Sequence, residues 1–298
     1  MNRSTILKKA YMKKPVTLFL LATFLISWSI LILYSLGQAE LIKFQLPKIF
    51  LILFAQFGPL FAVLILVGLF QGKQSLKNLF KRTINFKVGL PWFLFVILVY
   101  PIIILISFLI NYFLGGDMPD FPNNGSGIML VGNFFIGLIL GLVFGGLSEE
   151  IGWRGFMLTK LQRFTNPLVA SIVIAIFWTV WHLEPDFLVE LFTSGWNAFF
   201  EKALPIFGKR FLETLPFTIM MTYVYNRTNG NLLMMIIMHS ASNAAISGAT
   251  NLWTKTPSAV HDSYLIIIWV LAIGIYLATN LLSHDKKKFT ENLISDAV

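Results

Sequence analysis

The sequence predicts an all-α membrane protein, a polytopic bundle of about eight transmembrane helices with both termini in the cytoplasm. Two observations lead to this fold class. Apolar runs near 20 residues long recur along the chain, which is the length a helix needs to cross the hydrocarbon core of a bilayer. Only 12% of the 298 residues are charged, whereas about a quarter of the residues of a soluble domain carry charge.

The predicted spans follow from these apolar runs. They are residues 16–36, 47–70, 91–114, 128–150, 167–183, 212–226, 231–250 and 263–283. The first run is too long for the apolar segment of a cleaved signal peptide, so we expect an uncleaved first helix. No internal repeat or low-complexity tract divides the chain, and residues 1–298 are expected to form a single transmembrane domain.

The placement of charge predicts the orientation of the bundle and its partners. The net charge of +9 would suggest nucleic acid in a soluble domain. Here most of the 23 Lys and Arg residues lie before the first span, in residues 71–90 and 154–163, and near the C-terminus. Basic loops stay on the cytoplasmic side and face anionic lipid. Membrane lipids, and no nucleic acid, are therefore the expected partners.

Two segments between the spans are expected to lie at the membrane surface. Residues 75–87 alternate Lys and Arg with apolar side chains, which is typical of an amphipathic helix on the inner leaflet. Residues 185–210 are too polar to span and rich in Trp and Phe, which favours the outer interface. The chain has no cysteine, so disulfides, thiolate metal sites and a cysteine nucleophile are excluded.

Three polar clusters interrupt the apolar spans. Ionisable groups at membrane depth are costly, and each is a functional-site hypothesis. The clusters are Glu149, Glu150 and Arg154; Phe177 to His182; and His239 to Asn243. Glu149 and His182 are equally far from the turn expected before Pro167, so the two helices can bring them to the same depth. His239 lies on the neighbouring helical hairpin, and the clusters can therefore converge.

Local spacing predicts how the first cluster is arranged. Glu150 and Arg154 are four residues apart, which favours a buried ion pair. Glu149 then lies outside this pair and is available as a functional group. Gly145 and Gly152 lie at i−4 and i+3 of Glu149, and we expect them to keep that face of the helix open. Gly137 and Gly141 are typical of a small-residue packing stripe.

Two hydrolytic chemistries fit these residue types. In the first, Glu149 is the general base on a water that His182 holds or protonates, while His239 and Asn243 stabilise an oxyanion. In the second, a divalent metal such as zinc is bound by His182, His239 and a glutamate such as Glu149. The His-Glu-x-x-His helix of the usual zinc proteases is absent.

Residues 145–245 resemble the CPBP family of membrane proteases, which includes the CAAX-processing endoproteases of the Rce1 type and the bacteriocin-processing and immunity proteins of the Abi family. The family motif Glu-Glu-x-x-x-Arg is matched at 149–154 and His-x-x-x-Asn at 239–243. The Phe-x-x-x-His motif is matched with Trp178 in the aromatic position before His182.

The resemblance implies a catalytic core at about 128–250 in which Glu149 acts with His182 and in which His239 and Asn243 form the oxyanion site. Family members are often labelled metalloproteases, while a metal-independent glutamate mechanism fits this pattern better physically. The expected substrate is a membrane-associated peptide or protein, and the expected location is a bacterial plasma membrane.

Two other functions compete with an intramembrane endopeptidase. A membrane regulator or bacteriocin-immunity scaffold of the same family could keep the polar core for structure alone. A small-solute or ion transporter could use the intramembrane acids. The absence of repeat halves and of paired interrupted helices in the sequence argues against a transporter of the broken-helix type.

Overall fold

The computed structural model describes residues 11–117, 119, 127–250 and 255–279, and within these ranges the chain is helical with no β-strand. Both termini, which we expect in the cytoplasm, lie outside the described residues. Proline occupies the first turn of five helices, at Pro15, Pro59, Pro91, Pro167 and Pro185. The first turn is where its missing N–H costs no hydrogen bond and its fixed φ favours helix initiation.

We number nine helices in the described part of the chain. They are α1 Pro15–Gln38, α2 Gly58–Phe70, α3 Lys73–Lys81, α4 Leu90–Phe113, α5, α6 Pro167–Trp181, α7 Pro185–Arg227, α8 Leu232–Thr250 and α9 Ser258–Thr279. Helix α5 is composite: Gly127–Gly141, a π-helical turn Leu142–Leu147, Ser148–Glu150, a π-helical stretch Ile151–Leu158, and Thr159–Leu161. A further π-helical turn, Leu51–Ala55, precedes α2. Each predicted span overlaps at least one of these elements, and the last, 263–283, extends past the described residues.

Length and apolarity identify α1, α4, α5, α8 and α9 as helices able to cross a membrane, which makes this a multi-pass membrane protein. Helices α6 and α7 form a pair bent by 61° that passes the same test as one span. The described residues thus contain five such helices, or six with the bent pair. Helix α2 is apolar but shorter.

Helix α8 is the centre of the bundle. In its most apolar window 72% of the residues are buried, against 22% in the corresponding windows of the other four spanning helices. It packs against α4 and α5 and is the least apolar of the five, because it carries His239, Ser240 and Ser242. In a bilayer the polar side chains turn inward and the apolar side chains face lipid.

Helix α5 is broken at the start of the polar cluster. Phe144 (φ −94°, ψ 85°) and Gly145 (φ 127°, ψ −74°) leave the helical region. Residues other than glycine rarely adopt the φ of Gly145. The Ser148 Oγ accepts a hydrogen bond of 2.9 Å from the Gly145 N–H, which satisfies a donor freed by the break. The expectation that Gly145 belongs to one regular helix with Glu149 is therefore wrong, because the backbone leaves the helical region at Phe144 and at Gly145 itself.

The other glycines of α5 allow close helix packing. A Cβ on Gly137 would lie 3.2 Å from the Ala244 Cβ, and one on Gly141 would lie 3.1 Å from the Ser240 Cβ. The predicted packing stripe is confirmed, and its partner is α8. A Cβ on Gly152 would lie 2.6 Å from the Pro59 Cβ. Gly152 thus admits α2 rather than opening a face for Glu149, which corrects our expectation.

The segment after α6 also differs from its predicted form. Helix α7 begins at Pro185, so the predicted span 212–226 is the last part of a much longer helix. Gly195 (φ 84°) interrupts this helix. The sequence does not predict either interruption, in α5 or in α7, because a glycine within an apolar helix is compatible with an unbroken one.

Candidate active site

The acidic pair is buried at the break of α5. The relative solvent exposure is 4% for Glu149 and 0% for both Glu150 and Arg154. Arg154 Nη1 donates to Glu150 Oε1 at 2.8 Å, which confirms the predicted ion pair. Arg154 Nη2 also donates to the Thr218 hydroxyl of α7 at 3.3 Å. A buried guanidinium requires such partners, because leaving it unpaired costs several kcal/mol.

Glu150 joins the first polar cluster to the third. His239 Nδ1 on α8 lies 2.7 Å from the same oxygen, Glu150 Oε1, that receives Arg154. The carboxylate therefore holds the imidazole ring of His239 in one orientation. Because Nδ1 faces Glu150, Nε2 is the nitrogen of His239 that is left to face a reacting group.

Trp178 connects the second cluster to the first. Its indole Nε1 donates to Glu149 Oε2 at 2.6 Å. The guanidinium carbon of Arg154 lies 4.4 Å from the centre of an indole ring of Trp178, within the range of a cation–π contact. The sequence places this tryptophan in the second polar cluster and in a family motif, and it does not predict the contact with Glu149. The one signal it offered was its position one turn before His182.

His182 ends α6 and is held by its surroundings. Its Nδ1 lies 2.8 Å from the Trp178 carbonyl oxygen, so Nδ1 carries the proton in the neutral ring and Nε2 has the lone pair. Arg210 Nη1 donates to the His182 carbonyl at 2.6 Å, and Arg210 Nη2 donates to Glu184 Oε1 at 2.7 Å. Glu184 and Arg210 thus fix the backbone of His182. Sequence reasoning missed both residues.

Glu149 and His182 line one cavity of about 290 Å³. Its other walls come from α1, from residues 55–56 before α2, and from residues 181–185 and Arg210. Trp181 Nε1 donates to the Ser27 hydroxyl at 2.8 Å, and that hydroxyl donates to the Ala55 carbonyl at 2.7 Å. These bonds tie α6 to α1 and to the segment before α2, so the cavity has a fixed outer wall.

His239 and Asn243 converge on Gly145. A Cβ on Gly145 would lie 3.2 Å from Asn243 Nδ2 and 3.4 Å from His239 Nε2. Two nitrogens of α8 therefore point to one spot beside a backbone that carries no side chain. Two donors about 3 Å from a common point are the geometry that stabilises a developing oxyanion.

The six residues singled out from the sequence are therefore brought together. Glu149 and Glu150 lie on α5 with Arg154, His182 ends α6, and His239 and Asn243 lie on α8. The Trp178 ring lies between the two histidines, with ring centres 5.6 Å from His182 and 5.4 Å from His239. Glu149 is close enough to His239 for their charges to interact.

The alternative metal set, Glu149, His182 and His239, was tested against this geometry. Within the described ranges no three His, Asp or Glu side chains are grouped so that they could hold a metal ion. One polar atom of each residue is bonded within the protein, Glu149 Oε2 to Trp178, His239 Nδ1 to Glu150 and His182 Nδ1 to a backbone carbonyl. The other three atoms, Glu149 Oε1, His182 Nε2 and His239 Nε2, are not grouped so that they could hold one ion. The arrangement does not fit a three-ligand metal site, and we derive no step through a metal.

Comparisons with known proteins agree with the resemblance that the three motifs carry. The family model described as type II CAAX prenyl endopeptidase Rce1-like matches residues 130–245. Over 237 residues the chain is 26% identical to the CAAX prenyl protease 2 of Methanococcus maripaludis, an alignment that covers 79% of this chain and 82% of that protein. The matched region contains every residue of the three polar clusters.

Proposed function

As the matches to the Rce1-like model and to a CAAX prenyl protease support assigning the chain to the CPBP family, we propose that it is an intramembrane endopeptidase. It hydrolyses a peptide bond of a membrane-associated protein or peptide. The observation that carries this proposal is the cavity that Glu149 and His182 share, because it brings together two titratable side chains that are 33 residues apart in the sequence. A structural ion pair needs no such cavity.

The proposed reaction is a direct attack by water. Trp178 holds Glu149 Oε2, and Glu149 lines the cavity, so the oxygen that takes a proton from the water is assigned as Oε1. His182 Nε2, the nitrogen with the lone pair, accepts a hydrogen bond from the second O–H of that water and orients its oxygen, and this O–H bond stays intact. The water oxygen bonds to the carbonyl carbon of the substrate. When the C–N bond breaks, Glu149 returns its proton to the leaving amine.

The oxyanion formed in this step is stabilised by α8. Asn243 Nδ2 and His239 Nε2 donate hydrogen bonds to it from beside Gly145. His239 can donate from Nε2 while its Nδ1 faces Glu150 only when both nitrogens carry protons. The Glu150 carboxylate, 2.7 Å away, stabilises that charged ring.

Charge balance in the buried cluster supports these roles. With Glu149 and Glu150 ionised and with Arg154 and His239 protonated, the four groups sum to zero net charge. Moving one proton from His239 to Glu149 leaves the sum at zero. Both states avoid an uncompensated buried charge, which is strongly unfavourable. The first of them contains the base and the oxyanion donor that hydrolysis requires.

The proposal includes a topology. Residues 1–298 form a single domain of eight spans in a bacterial plasma membrane, with both termini in the cytoplasm and the catalytic core at about 128–250. The Lys and Arg placement supports this orientation. It directs the cavity at His182 toward the outer face and the end of α5 toward the cytoplasm. Single cysteines introduced into this cysteine-free chain test the topology, because a membrane-impermeant thiol reagent labels those on the outer face and not those on the cytoplasmic face.

The test of the function compares peptide N-termini in membranes from cells that express wild type, Glu149→Gln or Glu201→Gln at equal abundance. Glu201 is exposed on α7, so its substitution is a matched control. We expect new N-termini with wild type and with Glu201→Gln and none with Glu149→Gln. Identical termini in all three, with the cellular phenotype kept in Glu149→Gln, would contradict proteolysis and favour the regulator or immunity scaffold.

A further inference from the structure

A second cavity lies at the C-terminal end of α5, away from His182. Its volume of about 570 Å³ exceeds that of the cavity beside Glu149. Its walls are α3 with the residues that follow it, the end of α5, and the turn at 229–231 after α7. None of the residues that line it belongs to the proposed catalytic set.

The cavity is lined by cations. Its basic residues are Lys81, Arg82, Lys87, Lys160 and Arg163, and its described lining contains no Asp or Glu. In the described part of the chain none of these five forms an ion pair with a carboxylate. Like charges around a concave surface focus a positive potential, and this potential favours the entry of an anion.

Polar contacts hold the walls of the cavity in place. Arg82 Nε donates to the Gly230 carbonyl at 2.9 Å, and its guanidinium also contacts the Tyr225 hydroxyl. That hydroxyl lies 2.6 Å from Thr159 Oγ1 of α5. Asn231 Nδ2 donates to the backbone carbonyl of residue 85 at 2.8 Å. The three walls are thus joined before any ligand arrives, which lowers the entropic cost of binding.

The floor of the cavity is apolar, in contrast to its rim. Val67, Leu79 and Phe156 contribute to the lining, and Leu79 and Phe156 are buried. Lys160 Nζ lies 5.7 Å from the centre of the Phe156 ring. A ligand that fits both surfaces carries an anionic group next to an apolar part. A glycerophospholipid has this composition, whereas a free phosphate ion would leave the floor without contacts.

We propose that this cavity binds the phosphate headgroup of an anionic phospholipid, on the cytoplasmic side in the orientation given above. Lys81 and Lys160, on facing walls, contact the phosphate oxygens, and Arg82 joins the walls while adding its charge. Lys73 and Lys77 lie on α3 as well but do not line the cavity. The same helix thus offers lysines inside and outside the site.

The experiment measures binding to the full-length protein in a neutral detergent. The probes are a short-chain phosphatidylglycerol, a phosphatidylcholine of the same chain length, and inorganic phosphate. The cavity variant is Lys81→Gln with Lys160→Gln, and the control with the same charge change is Lys73→Gln with Lys77→Gln. We expect saturable binding of phosphatidylglycerol that the cavity variant weakens by about tenfold or more and the control leaves unchanged.

Other outcomes overturn the proposal. Inorganic phosphate that binds as tightly as phosphatidylglycerol would identify a soluble phosphate compound as the ligand. If both double variants bind phosphatidylglycerol equally weakly, the effect is non-specific electrostatic attraction. If the two lipids bind equally, the protein contacts them as it contacts detergent and does not recognise the headgroup. Thermal unfolding checks that both variants fold. If the double cavity variant does not fold, the single variant Lys81→Gln, which changes an exposed side chain, gives the same comparison against Lys77→Gln.

Discussion

The indole nitrogen of Trp178 donates a 2.6 Å hydrogen bond to Glu149, the residue proposed as the catalytic base. One carboxylate oxygen is thereby fixed, and Glu149 also lines the cavity that it shares with His182. A rotating carboxylate would face the cavity only part of the time. The contact therefore makes Trp178 a positioning residue for the reaction.

Trp178→Phe removes the donor but keeps an aromatic ring beneath Arg154. We expect kcat to fall by about tenfold or more with KM nearly unchanged, since the substrate does not contact the indole N–H. The matched control is Trp153→Phe, because Trp153 is fully buried and its Nε1 has no hydrogen-bond partner in the described structure. Steady-state rates with a cleaved peptide, compared at equal thermal stability, make the measurement. A similar loss of kcat in both variants would contradict the positioning role.

Arg154→Ala leaves Glu150 with His239 as its one charged partner. We expect a loss of about 3–5 kcal/mol in the free energy of unfolding, because the removal of one member exposes the full cost of the other buried charge. Lys202→Ala is the comparison: its pair with Glu190 is 3.6 Å long and both side chains are partly exposed. It should leave the free energy of unfolding nearly unchanged, because solvent screens an exposed pair. Thermal and denaturant unfolding in detergent distinguish the two, and an unchanged Arg154→Ala protein would refute the importance of the pair.

Gly145→Ala should damage activity more than stability. The residue has a φ of 127°, and its Cβ would lie between Asn243 Nδ2 and His239 Nε2. We expect backbone strain to lower the free energy of unfolding by about 1–3 kcal/mol. The loss of activity, expressed as a free energy of activation, should be larger, because the methyl group fills the proposed oxyanion site. Gly208→Ala, with open space around the new methyl group, is the control. Full activity in Gly145→Ala would place the oxyanion elsewhere.

Chelators should leave the activity within about twofold, since Glu149, His182 and His239 are not grouped in the described structure so that they could hold a metal ion. Incubation with a zinc chelator, followed by the peptide assay, gives the first readout. The metal content of the purified protein, expressed per chain, gives a second that does not depend on activity. A full equivalent of tightly bound metal, lost together with activity, would show that the side chains rearrange around an ion.

Much of this arrangement can be predicted from the spacing of residues within one helix, and the rest consists of contacts between helices. The helices follow from apolar runs, and the Glu150–Arg154 pair from an interval of four residues on one helix. The contacts of Glu150 with His239 and of Glu149 with Trp178 join different helices, so no interval in the sequence encodes them. Arg210 reaches His182 across the bend between α6 and α7 for the same reason.

The break at Gly145 shows a different limit. Gly137, Gly141 and Gly145 recur every four residues, a pattern that predicts one unbroken packing face. The first two positions obey it and contact α8. At the third the helix opens instead, and the polar nitrogens of His239 and Asn243 lie beside the opened backbone. The identity of the facing residues decides the outcome, and a single-helix pattern does not contain it.

The outer wall of the cavity beside Glu149 has a separate origin from its chemistry. Glu149 and His182 lie within the family-model match at 130–245, whereas Ser27, Leu31 and Gln56 lie outside it. Mutations in α1 and in the segment before α2 can therefore reshape what the cavity admits while the acid and the histidine stay in place. If the chain acts as proposed, sequence changes in these first helices would alter which peptides enter the cavity and leave the reacting groups unchanged.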